Sequence, residues 1–554
     1  MIRQFLLALL AGGSLISTAS AQLLETKKET YTRADTLRGT LTPLRTCYDI
    51  NYYHLDVKFD IDKKYISGSN RFKFTATQDF TRLQFDLFAN LKVEKVVYKG
   101  NEVPFEREFN AVFVTFPKAI AKGAQDEFTV YYSGNPVVAK RAPWDGGLTF
   151  TTDSLGKPWV ASACQGMGAS VWWPTKDHQA DEVDSMLISI SVPKGLKDVS
   201  NGRLRKVTQL KDGYTRFDWF VANPINNYDV AANIGDYVNI KDSYAGEKGK
   251  LSIDYWVLSY NAEKAKKHFS ADVKPMLKAF EYWFGPYPFY EDGYKLVDAP
   301  YLGMEHQSAV AYGNKYKKGY LGHDLSHTGL GLGWDYIIVH ESGHEWFGNN
   351  ITTKDIADMW VHEAFTTYSE GLFVENTQGK QKGLEYIHGQ RMDIDNDKAI
   401  IGDYGVNKEG SGDMYPKGAN LLSMIRAIIN DDDKWRDILR GLGKTFYHQT
   451  VTHDQIVNYI NEKSGKNLTS VFDQYLKHRT IPVLQFAMKQ GKLNSRWITY
   501  VDNFAMPVRI KIPGGEYQFI TPNNTRFTPV NISGATAENI EVDTFNFYIG
   551  VLKE

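Results

Sequence analysis

Residues 339–350 read VHESGHEWFGNN and contain two histidines and a glutamate in the spacing His340-Glu341-x-x-His344. On an α-helix, residues four apart lie on one face, so both imidazoles can bind one metal ion while Glu341 points beside it. Gly348 follows as a candidate helix end. The stretch therefore predicts a short helix that carries two zinc ligands and a general base.

A catalytic zinc also needs a third protein ligand and an open position for water. The downstream stretch DMWVHEAFTTYSEG, residues 358–371, supplies Glu363. The eighteen residues between His344 and Glu363 allow a loop and a second helix, a spacing typical of gluzincin metallopeptidases. Without these acidic residues, the histidines would be interpreted as hydrogen-bonded core residues. Glu370, seven residues after Glu363, is either a hydrogen-bond acceptor for a ligand histidine or an ordinary surface glutamate.

Length and composition set broader bounds. A chain of 554 residues is too long for one hydrophobic core and predicts a multidomain protein. Its 64 basic and 65 acidic residues produce no net field that would favour nucleic acid or an anionic membrane as partner. Cys47 and Cys164 are the two cysteines, so they form one disulfide or remain two buried thiols. A tight metal site must therefore use histidine and carboxylate ligands.

The first residues have the pattern of a signal peptide. Arg3 precedes an apolar run over residues 5–16, and Ala-Ser-Ala at residues 19–21 is a small-x-small cleavage signature. The apolar run is too short to span a bilayer comfortably. We therefore predict a signal peptide at residues 1–21, a mature chain that starts at Gln22, and export to the periplasm or the extracellular space without stable membrane insertion.

Three domains follow the predicted signal peptide. Residues 22–258 alternate apolar and polar side chains, as in HLDVKFDI at 54–61, which is typical of half-buried antiparallel strands. From Asn261 the apolar period changes to three and four, and a mostly helical domain is predicted over residues 259–480. Alternation returns in residues 481–554, which predicts a small β domain. The fold class is thus a multidomain α+β protein.

Several motifs resemble the aminopeptidase N family of zinc metallopeptidases, which also contains leukotriene hydrolases. Four of them occur in the family's order within about 120 residues, and a fifth precedes them: FEYWFGPYPF (280–289), YLGMEHQSAVAYGN (301–314), HESGHEWFGN (340–349), WVHEAFTTY (360–368) and YPKGA (415–419). The resemblance implies a β-saddle N-terminal domain followed by a thermolysin-like catalytic domain. It also implies one zinc ion, bound by His340, His344 and Glu363.

The resemblance assigns further residues to the substrate. The family's Gly-x-Met-Glu-Asn strand, whose glutamate binds the free α-ammonium, falls on Leu302, Gly303, Met304, Glu305 and His306. Gly303, Met304 and Glu305 are therefore expected to bind substrate. Leucine and histidine replace the motif's first glycine and its asparagine, which leaves the shape of the subsite open.

Two more assignments come from the family pattern. Tyr415 matches the transition-state tyrosine of a Tyr-Glu-Lys-Gly stretch in which Pro416 replaces the glutamate. Gln165, in CQGMGASVWWP, resembles a substrate-contacting glutamine of the β-rich domain, with a structural turn residue as the alternative. Glu341 is the expected general base. Together these residues imply a zinc-dependent aminopeptidase that acts on peptides with a free N-terminus.

Alternative functions remain open. A thermolysin-type zinc endopeptidase would share the zinc ligands but has no use for a carboxylate at Glu305, because an internal peptide bond carries no ammonium. A catalytically silent peptide-binding protein would be expected to lack Glu341 or a zinc ligand. Leukotriene-type epoxide hydrolysis is a further alternative. The 74 residues after Thr480 are too few for the family's large helical C-terminal domain, so we expect a more open cleft, or one that another subunit closes.

Overall fold

A computed structural model describes residues 29–554, so the predicted signal peptide at residues 1–21 lies outside the described residues. The N-terminal part consists mainly of strands. Its elements are α1 (Arg33–Gly39), α2 (Pro43–Thr46), β1 (Tyr48–Asp60), β2 (Tyr65–Ala76), β3 (Phe80–Asp86), β4 (Leu91–Tyr98), β5 (Asn101–Val103), β6 (Phe105–Glu108), β7 (Ala111–Ile120), β8 (Gln125–Gly134), β9 (Gly147–Thr152), β10 (Pro158–Ala163), β11 (Ser185–Pro193), β12 (Lys197–Val199), β13 (Arg203–Gln209), β14 (Tyr214–Val221) and β15 (Asn233–Gly235).

These strands form three sheets around one core. The largest has eight strands in the order β13-β14-β11-β1-β2-β8-β4-β5, with β1 antiparallel to β2 and parallel to β11. The alternation of β1 places Leu55, Val57 and Phe59 in the core, where each is fully buried. The sheets β12-β15-β10-β9 and β3-β7-β6 complete the domain. Its strand-rich character agrees with the sequence pattern.

The middle of the chain is mostly helical. Its elements are β16 (Tyr237–Gly246), β17 (Gly249–Leu258), α3 (Ala262–Phe284), β18 (Tyr294–Asp298), β19 (Gly303–Met304), β20 (Val310–Tyr312), α4 (Tyr336–Gly343), β21 (Ile351–Thr353), α5 (Trp360–Gln378), α6 (Lys380–Gly389), α7 (Pro416–Ile429), α8 (Asp432–Thr445), β22 (Gln449–Val451), α9 (His453–Ser464) and α10 (Thr469–Leu476). Among the helices of residues 29–554, none is long and apolar enough to cross a membrane.

One five-stranded sheet crosses the predicted domain boundary at residue 258. Its order is β16-β17-β18-β20-β19, so residues 237–258 pair with strands of the catalytic region. Leu251, Ile253 and Val257 also pack in the core of that region. The alternating pattern predicted β16 and β17 as strands and therefore grouped them with the N-terminal strands. Such a pattern identifies a strand but does not show which sheet it joins. The sheet belongs with the catalytic helices, and its edge strand β19 lies beside the site.

The C-terminal residues form two small sheets, β27-β24-β23-β29 and β26-β25-β28. Buried residues of this part, such as Leu484, Phe504 and Phe547, belong to the same core as the catalytic helices. The multidomain α+β prediction is confirmed. The strands are β23 (Val483–Lys489), β24 (Lys492–Ile498), β25 (Val508–Lys511), β26 (Gln518–Ile520), β27 (Thr528–Pro529), β28 (Glu541–Val542) and β29 (Gly550–Lys553).

The two cysteines do not form a disulfide. Cys47 and Cys164 are both buried as free thiols. Burial raises the pKa of the Cys47 thiol to about 11, and that of Cys164 is raised further, so both remain protonated and unreactive near neutral pH. Of the two alternatives that the sequence left open, the structure has the pair of buried thiols.

Candidate active site

Helix α4 carries the first histidine and the glutamate of the opening motif. Asp335 begins the helix by accepting hydrogen bonds from the backbone amides of Ile337 and Ile338. The regular helix ends at Gly343, five residues before the predicted end at Gly348. Irregular turns continue the chain, and His344 keeps helical backbone angles as the capping residue. The two histidines therefore still project from one face.

The predicted zinc ligands meet at one point. His340, His344 and Glu363 each offer a ligand atom within 4.8 Å of the others, and all three residues are buried. Glu363 Oε2 lies 3.4 Å from His344 Nε2 and 3.8 Å from His340 Nε2. Zinc bonds of about 2.0–2.2 Å in tetrahedral geometry would place such atoms about 3.3–3.6 Å apart. Among residues 29–554, Glu363 Oε2 has no hydrogen-bond partner. This donor set fits one zinc ion.

The other nitrogen of each histidine is held by the surrounding protein. His340 Nδ1 lies 2.7 Å from Glu370 Oε1, and His344 Nδ1 lies 3.1 Å from the Phe347 carbonyl oxygen. These contacts orient Nε2 of each ring toward the common point. Glu370 is fully buried and also accepts a hydrogen bond from Tyr386. Of the two interpretations of Glu370, the structure favours the hydrogen-bond acceptor and excludes the surface residue.

Glu341 lies beside this cluster and is itself buried. Burial raises the pKa of its carboxyl above the usual range, which suits a group that must accept and return a proton. Gly303 of the edge strand β19 faces it closely. A Cβ atom on residue 303 would lie 2.6 Å from Glu341 Oε1, so glycine leaves the space that the carboxylate occupies.

The predicted ammonium site lies next to the metal site. Gln165 Nε2 lies 2.6 Å from Glu305 Oε1 and 3.2 Å from Glu363 Oε1. Tyr228 donates a hydrogen bond to Glu305 Oε1, and Asn349 donates one to the Glu305 carbonyl. Burial raises the pKa of the Glu305 carboxyl, and this cost falls when a cation binds to it. Gln165 lies in a turn at residues 165–167, and its side chain contacts both Glu305 and Glu363.

The two departures from the family strand have different surroundings. Leu302, the first departure, lines the cavity beside Met304, which matches the family strand and is buried. His306 is fully buried, and burial lowers the pKa of its imidazole to about 3, so the ring is neutral. Neither of its ring nitrogens has a hydrogen-bond partner among residues 29–554.

Tyr415 is positioned by the start of helix α7. Pro416 occupies the first turn of the helix, where a backbone N–H would have no partner within the helix. A proline in place of the motif's glutamate is therefore compatible with the fold. The Tyr415 ring is stacked near His340, with ring centroids 6.1 Å apart. Helix α7 approaches α5 closely, because a Cβ on Gly418 would lie 2.5 Å from the Cβ of Ala364. This approach brings Tyr415 to the wall of the metal site.

A cavity of about 770 Å³ contains these groups, and Gln165, Gly303, Met304, Glu305, Glu341 and Tyr415 line it together with the three zinc ligands. Its outer wall comes from segments that sequence reasoning did not assign to the site. They are α1, through Arg38, the loop at residues 143–145, and the loop at residues 407–412. None of these segments contains a recognisable motif, so only the folded structure shows that they line the site.

A buried His-Glu-x-x-His segment and a helix-borne glutamate around one point form the zinc-ligand arrangement of the gluzincin class of metallopeptidases. Residues 270–475 match the family model Peptidase family M1 domain. Residues 270–475 are thus similar to the Peptidase family M1 domain, which agrees with the resemblance of the motifs to the aminopeptidase N family.

Curated relatives agree with this assignment. Probable aminopeptidase 2 of Sulfurisphaera tokodaii is 24% identical over 429 residues, covering 73% of this chain and 51% of the relative. Human aminopeptidase B is 24% identical over 377 residues, covering 65% of this chain and 54% of the relative. The chain thus spans about half the length of these relatives.

Solved structures show the same fold. The M1 zinc metallopeptidase of Deinococcus radiodurans, solved as a point mutant bound to a Tyr-Ser-Ala substrate, superposes with a TM-score of 0.64 at 18% identity. The match covers 79% of this chain and 96% of that chain. A match over 79% of this chain is too large to lie in the catalytic region and the C-terminal sheets alone, so it includes part of the N-terminal sheets.

Proposed function

We propose that this protein is a zinc-dependent aminopeptidase that removes N-terminal residues from peptides. One observation carries the proposal: carboxylate oxygens of Glu305 and Glu341 lie with a nitrogen of His344 inside one group whose ligand atoms are all within 4.8 Å of one another. A carboxylate at this position can bind an α-ammonium. The first peptide bond of that substrate then lies beside Glu341 and the metal ligands.

The chain's residues have separate tasks in this mechanism. Bound zinc supplies Lewis acidity that activates water and the scissile carbonyl. Glu341 accepts the proton of the attacking water and returns it to the leaving amine, so the peptide C–N bond is broken with no net proton change. Tyr415 donates a hydrogen bond to the oxyanion as it develops on the carbonyl.

Glu305 and Gln165 determine where the cut falls. Glu305 binds the substrate's ammonium, and Gln165 holds the Glu305 carboxylate through a hydrogen bond of 2.6 Å. A peptide without a free amine would leave Glu305 buried and unpaired, which is costly. This discrimination separates the proposal from a thermolysin-type endopeptidase, which gains nothing from a carboxylate at this position. Leukotriene-type hydrolysis has no specific observation in its favour.

The experiment compares aminoacyl chromogenic amides with their N-acetylated counterparts, with and without a zinc chelator, for the wild type and Glu305→Ala. We expect chelator-sensitive cleavage of the free amines, little cleavage of the acetylated substrates, and a large loss in Glu305→Ala. Equal cleavage of free and blocked substrates would instead support the endopeptidase. Absence of any chelator-sensitive cleavage would support the silent peptide-binding protein.

We further propose that the protein is exported to the periplasm or the extracellular space. The support is the pattern of residues 1–21, with a basic start, an apolar run and a small-residue cleavage signature. Expression of the full chain, cell fractionation and N-terminal sequencing test this proposal. A mature chain that begins at Gln22 in the exported fraction is the expected result, and an uncleaved chain retained in the cytoplasm would contradict it.

A further inference from the structure

Three arginines of the N-terminal segment have different environments. Arg33 forms an exposed ion pair with Glu108 at 3.2 Å, and Arg45 is buried against Asp86. Arg38, between them on α1, lines the active-site cavity. Among residues 29–554 it has no ion-pair partner within 4.0 Å, and its Nη2 donates to the Gly166 carbonyl oxygen at 3.1 Å. Its Nε is buried without a hydrogen-bond partner among these residues.

Two carboxylates that attract the Arg38 guanidinium, those of Asp177 and Asp86, are already engaged. Both oxygens of Asp177 accept hydrogen bonds from the backbone amides of Ala169 and Ser170, and Asp86 binds Arg45. A half-buried guanidinium that lacks an ion-pair partner is less favourable than a paired one. It becomes favourable when an anion enters the cavity, since an arginine can hold a carboxylate through two parallel hydrogen bonds.

Helix α1 is fixed firmly enough to present this side chain. Thr40 donates a hydrogen bond to the Gly405 carbonyl oxygen at 2.7 Å, and Asn407 and Arg38 both donate to the Gly166 carbonyl. Gly166 directly follows Gln165, which contacts Glu305 and Glu363. Arg38 and Gln165 therefore lie on neighbouring parts of the cavity wall, linked through the Gly166 carbonyl.

Charged side chains of both signs line the cavity. Carboxylates of Glu305, Glu341 and Glu363 lie around the proposed metal and ammonium sites. The remaining lining includes three cations, Arg38, Lys398 and Lys408, and two carboxylates, Asp145 and Glu409. Lys408 pairs with Glu29 at 3.4 Å, and Asp145 Oδ2 accepts the backbone amides of Lys140 and Arg141, while Asp145 Oδ1 has no hydrogen-bond partner among residues 29–554. Arg38 and Lys398 form no ion pair within 4.0 Å among these residues, so these two cations can receive an anionic group of a ligand.

We infer that Arg38 binds a carboxylate of the substrate, so that the preferred substrates are short peptides with a free C-terminus. This inference rests on the proposed aminopeptidase function and adds the substrate class. The cavity volume of about 770 Å³ is within the range of pockets that bind small ligands, which suits a short peptide. An acidic side chain on a longer peptide offers the same chemistry, and the experiment distinguishes the two sources.

The test compares kcat/KM for three peptides with a free amine: trialanine, trialanine amide, and Ala-Glu-Ala amide. For the wild type we expect trialanine to exceed its amide by about tenfold or more, as for a hydrogen bond to a charged group. Arg38→Gln should bring this ratio close to one, and Arg38→Lys should retain part of it. Arg33→Gln, on the same helix but paired with Glu108, is the matched control and should keep the wild-type ratio.

A second readout does not depend on turnover. Calorimetry with the Glu341→Gln protein measures the binding of trialanine and of its amide, with and without Arg38→Gln, and circular dichroism checks that each variant is folded. A gain for Ala-Glu-Ala amide that Arg38→Gln removes would identify a side-chain carboxylate as the source. Equal kcat/KM for all three peptides in the wild type would overturn the inference about Arg38. Cleavage of the amides in that case would still support the proposed function. If no peptide is cleaved, the proposed function fails, and the binding comparison still decides the role of Arg38.

Discussion

Gly303 and Glu341 approach each other so closely that a Cβ on residue 303 would lie 2.6 Å from the Glu341 carboxylate. The glycine belongs to the edge strand β19 and the glutamate to helix α4. The strand that aligns the substrate and the helix that supplies the base therefore share one contact. Any side chain at residue 303 must displace the base.

Gly303→Ala should accordingly lower kcat without unfolding the protein. The new Cβ would meet the movable Glu341 carboxylate and, at 2.8 Å, the Cγ2 atom of Ile337. We therefore expect the carboxylate to be displaced, with a loss of about 1–3 kcal/mol in the free energy of unfolding and kcat reduced about tenfold to a hundredfold. Steady-state kinetics and thermal melting check this. Gly333→Ala is the control, since its Cβ would meet only the Gln378 side chain at 3.9 Å. Unchanged kcat in Gly303→Ala would show that a side chain at residue 303 does not displace the Glu341 carboxylate.

Glu370→Gln should weaken zinc binding. Glu370 fixes the ring of His340 through Nδ1 at 2.7 Å, and loss of such a partner typically lowers metal affinity by about tenfold to a hundredfold. Zinc affinity is measured by competition with a chromogenic chelator, independently of activity. Glu462→Gln changes an exposed glutamate on α9 and should leave the affinity unchanged. Equal affinities in the two variants would contradict the assignment.

Tyr415→Phe should lower kcat and leave KM nearly unchanged. The phenol is expected to act only on the oxyanion of the transition state, and loss of one such donor costs about 10²–10³ in kcat. Tyr517→Phe, at a tyrosine that is 43% exposed on the C-terminal part, is the matched control. A change confined to KM would assign Tyr415 to substrate binding instead.

Local patterns predicted the parts of the site that lie on single helices. Helical periodicity was sufficient for His340, His344 and Glu341, and a seven-residue interval was enough to suggest Glu370. Contacts between distant segments were not accessible in this way. Gln165 is 140 residues from Glu305 in sequence and was predicted only from the family resemblance.

Arg38 had no sequence signal, because α1 reaches the cavity by docking on Gly166 and on the loop at residues 405–407. The domain boundary at residue 258 shows the same limit. Alternation identifies a strand, but the partner strands that define its sheet lie elsewhere in the chain. Sequence patterns were therefore sufficient to predict the metal-binding residues, whereas the residues of the outer cavity wall were identified only from the folded structure.

Gly39→Ala tests whether α1 positions that outer wall. In an isolated helix alanine would be favoured over glycine by about 1 kcal/mol. Here a Cβ would lie 2.3 Å from the backbone nitrogen of Asn407 and 2.4 Å from that of Val406, and backbone atoms cannot rotate away. We therefore expect the opposite sign, a loss of about 1–3 kcal/mol in the free energy of unfolding. KM should rise as the loop shifts, with kcat less affected. Denaturant unfolding and steady-state kinetics measure both, with Gly333→Ala again as the control. A stabilised Gly39→Ala protein with unchanged KM would show that α1 does not press on this loop.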